Sequence, residues 1–169
     1  TARDLTDGLL EAVGAAKEAL ALDDEIKAYV QRYEALKDLF FLGRGLDYAL
    51  SMEGSLKLKE VSYIHCEAYA AGELKHGTIS LITPGVPVVA MATQEVLLPK
   101  MVSNIKEVHS RGADVLLIGK KGLEIDPEIY GRRFDLPALD DLFMPIPGVV
   151  VLQLLAYHTA VLRGCDVDK

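Results

Sequence analysis

The chain has 169 residues, half of them apolar and a quarter charged, which is the make-up of one folded domain rather than of a disordered segment. A formal net charge of −7 argues against a nucleic-acid footprint and against binding to anionic membrane. The longest apolar runs, such as Val149 to Ala156, are too short to span a bilayer, and no charged-then-apolar leader opens at Thr1.

In chain order, Leu9, Leu10, Val13, Ala16 and Leu20 recur at helical spacing and predict an amphipathic first helix. Asp23-Asp24 fits a cap for a second helix marked by Ile26, Tyr29, Val30, Tyr33 and Leu36. Leu39 to Leu42 is a short apolar run closed by Gly43-Arg44-Gly45, which reads as a buried strand ending in a tight turn. A helical stretch is expected over 47–63 and a further short helix over 73–82, ended before Pro84-Gly85. Val86 to Ala92 is a second buried strand, and Val96 to Ser110 has helical spacing up to Arg111-Gly112. Val115 to Ile118 is a third strand, Phe134 to Leu136 a weaker one, and Ile146 to Leu162 a long apolar helix stopped by Gly164. Strands alternating with helices of this length predict a three-layer α/β/α domain with a mainly parallel central sheet. Residues 1–38 read as helices leading into a domain that occupies 39–169.

Two cysteines, Cys66 and Cys165, stand far apart with no CxxC pair and no Cys/His ligand spacing. No metal site is expected, and the pair reads as reduced thiols of a cytoplasmic protein. The absence of an initiator Met leads to the expectation of a fragment or a processed chain.

The chemistry-bearing stretch is Glu53 to Gly77. At about 100° per residue, Glu53, Lys57, Glu60 and Ile64 fall within an arc of roughly 60° on a helix. Two carboxylates then flank one ammonium on a single stripe. Such a stripe is either a solvated i,i+4 ion-pair ladder or a carboxylate base held in a partly buried slot beside a cation. His76, between Lys75 and Gly77, has the placement of a group that exchanges protons near neutrality. His65, between Ile64 and Cys66, reads as structural, and His109 and His158 as helical histidines with no acidic partner at an obvious spacing. Gly43-Arg44-Gly45 reads as a close-packed strand-to-helix turn, with phosphate cradling as the alternative.

Four segments carry a family resemblance: LGRG at 42–45, EGSLKLKEVSYIH at 53–65, EAYAAGELKHG at 67–77 and the ending LQLLAYHTAVLRGCDVDK. They resemble the second sugar-isomerase (SIS) domain of the glutamine–fructose-6-phosphate aminotransferases, the glucosamine-6-phosphate synthases. The resemblance implies that Glu60 is the base moving a proton between C1 and C2, and that His76 assists opening of the sugar ring, reaching the site of a neighbouring subunit. It implies that Lys57 and Glu53 orient or polarise that site. It implies a phosphosugar substrate, fructose 6-phosphate going to glucosamine 6-phosphate, and no cofactor. The implied partners are a first SIS domain, a glutaminase domain and a second copy in a homodimer. The family continues past the matching ending into a PRNLAKS-like tail with a lysine needed for isomerisation; Lys169 is not that lysine by motif, so the chain alone is expected to be inactive. Thr78 stands where many members have Pro. Two other readings stay open: an SIS sugar-phosphate deaminase or deglycase, and a binding module that only senses a phosphosugar.

Overall fold

A computed structural model of the chain describes residues 2–168. Its centre is a five-stranded sheet with strand order β2-β1-β3-β4-β5. The strands are β1 (Asp38–Gly43), β2 (His65–Ala70), β3 (Pro87–Ala92), β4 (Asp114–Lys120) and β5 (Arg132–Leu136). Every neighbouring pair is parallel. The helices are α1 (Ala2–Leu20), α2 (Asp23–Tyr29), α3 (Leu46–Ser62), α4 (Leu98–Ser110) and α5 (Pro145–Leu162).

The central strands are apolar at successive positions because both faces of the sheet are covered. Leu39 and Phe41 of β1, Val89 and Met91 of β3, and Leu116 and Ile118 of β4 enter one core with residues of α2, α3 and α5. Their neighbours Phe40, Leu42, Val88, Ala90, Val115 and Leu117 enter the other, against Met101, Ile105 and Val108 of α4. This is the two-residue alternation of a pleated strand, with an apolar layer on each side.

Helix α3 lies on the first face and packs against α5, β1 and β2. The approach is close: a Cβ added at Gly54 would meet Leu152 of α5 and Phe41 of β1 at 3.1 Å. Helix α5 is long and apolar enough, by length and composition, to cross a membrane. Here it is the central helix of the first face, packed on α1, α2 and α3, and this packing accounts for its hydrophobicity.

Three expectations need correction. Residues 65–70 form β2, an edge strand that the sequence pattern did not announce. Helix α3 ends at Ser62, with Tyr63 in the left-handed region at φ 59°, so Ile64 leaves the proposed stripe and is buried in the core instead. The helix expected over 73–82 is two 3-10 turns, Ala71–His76 and Thr78–Leu81, broken at Gly77, whose φ of 134° no helix accommodates.

Candidate functional site

The turn after β1 sets the start of α3. A Cβ at Gly43 would lie 2.2 Å from the Asp47 carbonyl oxygen, so only glycine allows the strand to run this tightly into the helix. Gly45, the N-cap, sits at φ 56°. The intervening Arg44 donates from Nε to Asn104 Oδ1 of α4 at 2.9 Å, and its guanidinium packs over Gly72. The turn is therefore close-packed, as the sequence reading preferred.

Along the outer face of α3, Lys57 Nζ and Glu60 Oε2 are 2.6 Å apart across one helical turn. The side chains are 35% and 49% exposed, so the pair faces solvent on this chain rather than lying in a slot. The hydrogen bond to Glu60, with the charges of Glu60 and Glu53, holds the Lys57 ammonium above the usual lysine range against an opposing desolvation. Lys57 thus stays protonated throughout the neutral range. Glu53 belongs to the same patch by its charge, as helical spacing predicted.

The stripe runs along a crest between two hollows. On the α5 side a hollow of about 320 Å³ is lined by Lys57, Val61, Gln153, Tyr157, Val167 and Asp168. On the β2 side a second, of about 510 Å³, is lined by Met52, Leu56, Lys59, Glu67 and Tyr69 among others. Tyr69 donates its hydroxyl to Glu67, and its phenol is pushed up to about 12 by partial burial and by the bond and charge of that carboxylate.

His76 lies in the 3-10 turn after β2. Its side chain is 75% exposed, with Glu73 at 3.8 Å. Among the described residues no hydrogen bond or ion pair joins His76 to Glu53, Lys57 or Glu60. The structure thus unites three of the four expected site residues and leaves the fourth apart, facing outward.

Of the other histidines, His158 has a partner that local spacing does not show. His65 is not packed in the core; it is exposed at the sheet edge, with Nδ1 2.9 Å from Asp38 and Nε2 3.6 Å from Glu67. His158 does have an acidic partner: its Nε2 lies 2.7 Å from Asp23 Oδ1. Asp23 accordingly ties α2 to α5, and no side-chain cap bond opens α2. His109 is exposed in the last turn of α4.

The carboxyl ends of the strands, where doubly wound sheets usually receive ligands, hold polar groups that the sequence reading missed. Asp47 is buried at the start of α3 and accepts from the Thr93 amide at 2.8 Å and from Thr93 Oγ1 at 2.6 Å, just past β3. Burial pushes its carboxyl pKa up, and the bonds from Thr93 and Gln94 only partly offset this. Lys120 closes β4 with a side chain 3% exposed, meeting Glu95 at 2.6 Å and Asp141 at 2.7 Å. Burial alone would lower its pKa, but the two carboxylates hold it above the usual range.

Strand order, the β1/β3 crossover point and the glycine-tight turn after β1 define a doubly wound α/β domain. The chain belongs to the SIS domain family, whose model matches residues 34–163. It is 54% identical to a glutamine–fructose-6-phosphate aminotransferase [isomerizing] of Clostridium acetobutylicum, over 91% of this chain and 25% of that protein. It is 48% identical to one of Symbiobacterium thermophilum, over 98% of this chain and 27% of that protein. The chain thus spans about a quarter of the length of the curated relatives it matches. Among solved structures, the C-terminal domain of glucosamine-fructose-6-phosphate aminotransferase from Francisella tularensis superposes with a TM-score of 0.92 at 39% identity, over 98% of this chain and 47% of that one. A glucosamine-6-phosphate deaminase from Thermotoga maritima superposes at 0.70 with 26% identity, over 94% and 46%.

Proposed function

We propose that this domain is the isomerase-half SIS domain of an enzyme converting fructose 6-phosphate and glutamine to glucosamine 6-phosphate and glutamate. The observation that carries the reading is the Lys57–Glu60 pair on the open crest of α3 beside the α5-side hollow. It sits in sequence similar to aminotransferases of that name. Ammonia from glutamine condenses with the C2 carbonyl of the open-chain sugar, losing water, and Glu60 takes a proton from C1 of the resulting imine and returns it to C2, so the carboxylate ends as it began. Lys57, kept charged by Glu60 and Glu53, orients the carboxylate and offers a donor to a developing oxyanion. No cofactor is needed for such a proton shuttle.

His76 assists ring opening from a second copy of the chain. Its exposure and its separation from the Glu60 patch support service across a homodimer. The remaining partners are a first SIS domain and a glutaminase domain, and the reading places the enzyme in the cytoplasm, consistent with two free thiols. The isolated chain, with Glu60 half open to water, turns over no fructose 6-phosphate even with ammonia supplied. Sedimentation at tens of micromolar tests the dimer: a strictly monomeric species removes a stable one.

Glu60→Gln in the complete enzyme tests the base. Synthesis falls about a hundredfold or more, while glutamine hydrolysis continues. Near-normal synthesis returns the stripe to a solvated ion-pair ladder. The Thermotoga likeness favours a second reading, a deaminase running the sugar chemistry in reverse; release of ammonia from glucosamine 6-phosphate, faster than glutamine-dependent synthesis, distinguishes it. A phosphosugar sensor would bind ligand and turn over none with Glu60 intact.

A further inference from the structure

The last turn of α3 carries Glu60 only two residues before the helix ends at Ser62. The final carbonyls of a helix lack intrahelical donors and carry the negative end of the macrodipole. Two side chains from a distant part of the sequence meet that end: Cys165 reaches the Ser62 carbonyl from Sγ at 3.8 Å, and the second is a guanidinium. Arg163, just past α5, donates from Nε to the Ser62 carbonyl at 3.2 Å. The same guanidinium donates to the carbonyls of Glu34 at 2.9 Å and Leu36 at 3.1 Å, in the segment leading into β1. One planar cation thus joins the end of α3, the end of α5 and the entry to the sheet, a fork geometry that lysine cannot reproduce.

Immediately after Arg163 the chain turns at Gly164, φ 68°, and the Cys165 amide donates back to the Ala160 carbonyl at 2.9 Å. The segment that follows brings Val167 and Asp168 to the hollow that Lys57 and Val61 line from the α3 side. Arg163 therefore joins the two segments that line that hollow, α3 with Lys57 and Val61 and the returning chain with Val167 and Asp168.

We infer that Arg163 is a positioning residue for Glu60: it fixes the height and rotation of the last turn of α3, and with it the direction of the carboxylate that meets Lys57. The inference rests on the reading of Glu60 as the base. A carboxylate displaced by about an ångström loses proton-transfer efficiency while the substrate's phosphate and hydroxyl contacts remain, so the loss falls on kcat rather than on KM.

The test is a double-mutant cycle in the complete enzyme that carries this domain, with fructose 6-phosphate varied and glutamine hydrolysis followed in parallel. Arg163→Met lowers kcat for synthesis about tenfold or more, leaves KM for fructose 6-phosphate within about twofold, and leaves glutamine hydrolysis unchanged. Arg163→Lys, which keeps a cation at the helix end, loses less than Arg163→Met, and it carries the test if the Met variant does not fold. In a Glu60→Gln background the Arg163 substitution costs nothing further, because its effect runs through the carboxylate. A wild-type kcat in both Arg163 variants overturns the inference, and so does the same full factor lost with and without Glu60. Failure of the base reading shows separately, as high activity in the single Glu60→Gln enzyme.

Discussion

The carboxyl ends of the strands and the outer face of α3 use similar residues to opposite effect. At the strand ends Asp47 is bonded to Thr93 and Lys120 to Asp141, and Asp47, Thr93 and Lys120 are buried. On α3 the ions are half open to water, and the pair they form is the ordinary i,i+3 contact of a helix surface. A buried, satisfied polar cluster rigidifies a fold and has little capacity left for a ligand. An open pair contributes little to stability and is free to meet a substrate. On the proposed reading, the chemistry lies not at the sheet crest, the usual ligand position of such folds, but on the flank of a helix.

Substitutions at the strand ends sharpen the contrast most. Asp47→Ala leaves both Thr93 donors buried without an acceptor and lowers stability by about 2–4 kcal/mol, read from urea denaturation of the isolated chain. Lys120→Met removes the cation from Glu95 and Asp141, both of which reach solvent better than Lys120 does; the loss is about 1–2 kcal/mol. Lys57→Gln, at the exposed pair, leaves stability essentially unchanged. A loss at Lys57 as large as that at Asp47 would erase the distinction between the two regions.

Asp47 also gives the contrast a pH signature. Its folded pKa lies above the usual aspartate value of 3.8, with burial the largest cause. Over the window from that value up to the folded pKa, the native state binds more protons than the unfolded state, so stability from this group falls as pH rises, then stays level. The stability of Asp47→Asn relative to the unsubstituted chain therefore climbs through the same window. A flat difference from pH 3 to pH 7 would mean that Asp47 is not held in a desolvated site.

What could be read from sequence follows the same division. Strands β1, β3 and β4 are continuous apolar runs because helices cover both sheet faces, α1 and α4 show helical spacing, α5 is a long apolar run and β5 a weaker one. The Glu53–Lys57–Glu60 stripe was legible because helical spacing alone brings its members together. Strand β2 was not: His65, Glu67 and Tyr69 lie at a half-exposed edge, and the helix before it ends on Tyr63 rather than on a glycine. Asp47–Thr93, Lys120–Asp141 and His158–Asp23 join residues 46, 21 and 135 positions apart, and no local period encodes such pairs. The expected burial of Glu60 was not met within this chain either, since α3 turns that face outward.

The central claim is that the crest of α3 carries the proton transfer. Its most direct measurement is exchange of the C1 hydrogens of fructose 6-phosphate with deuterated water, followed by NMR in the complete enzyme. The account predicts exchange with the unsubstituted enzyme and, in Glu60→Gln, a rate lower by about a hundredfold, with substrate binding retained. Exchange at the unsubstituted rate in Glu60→Gln would contradict it and move the base elsewhere in the enzyme.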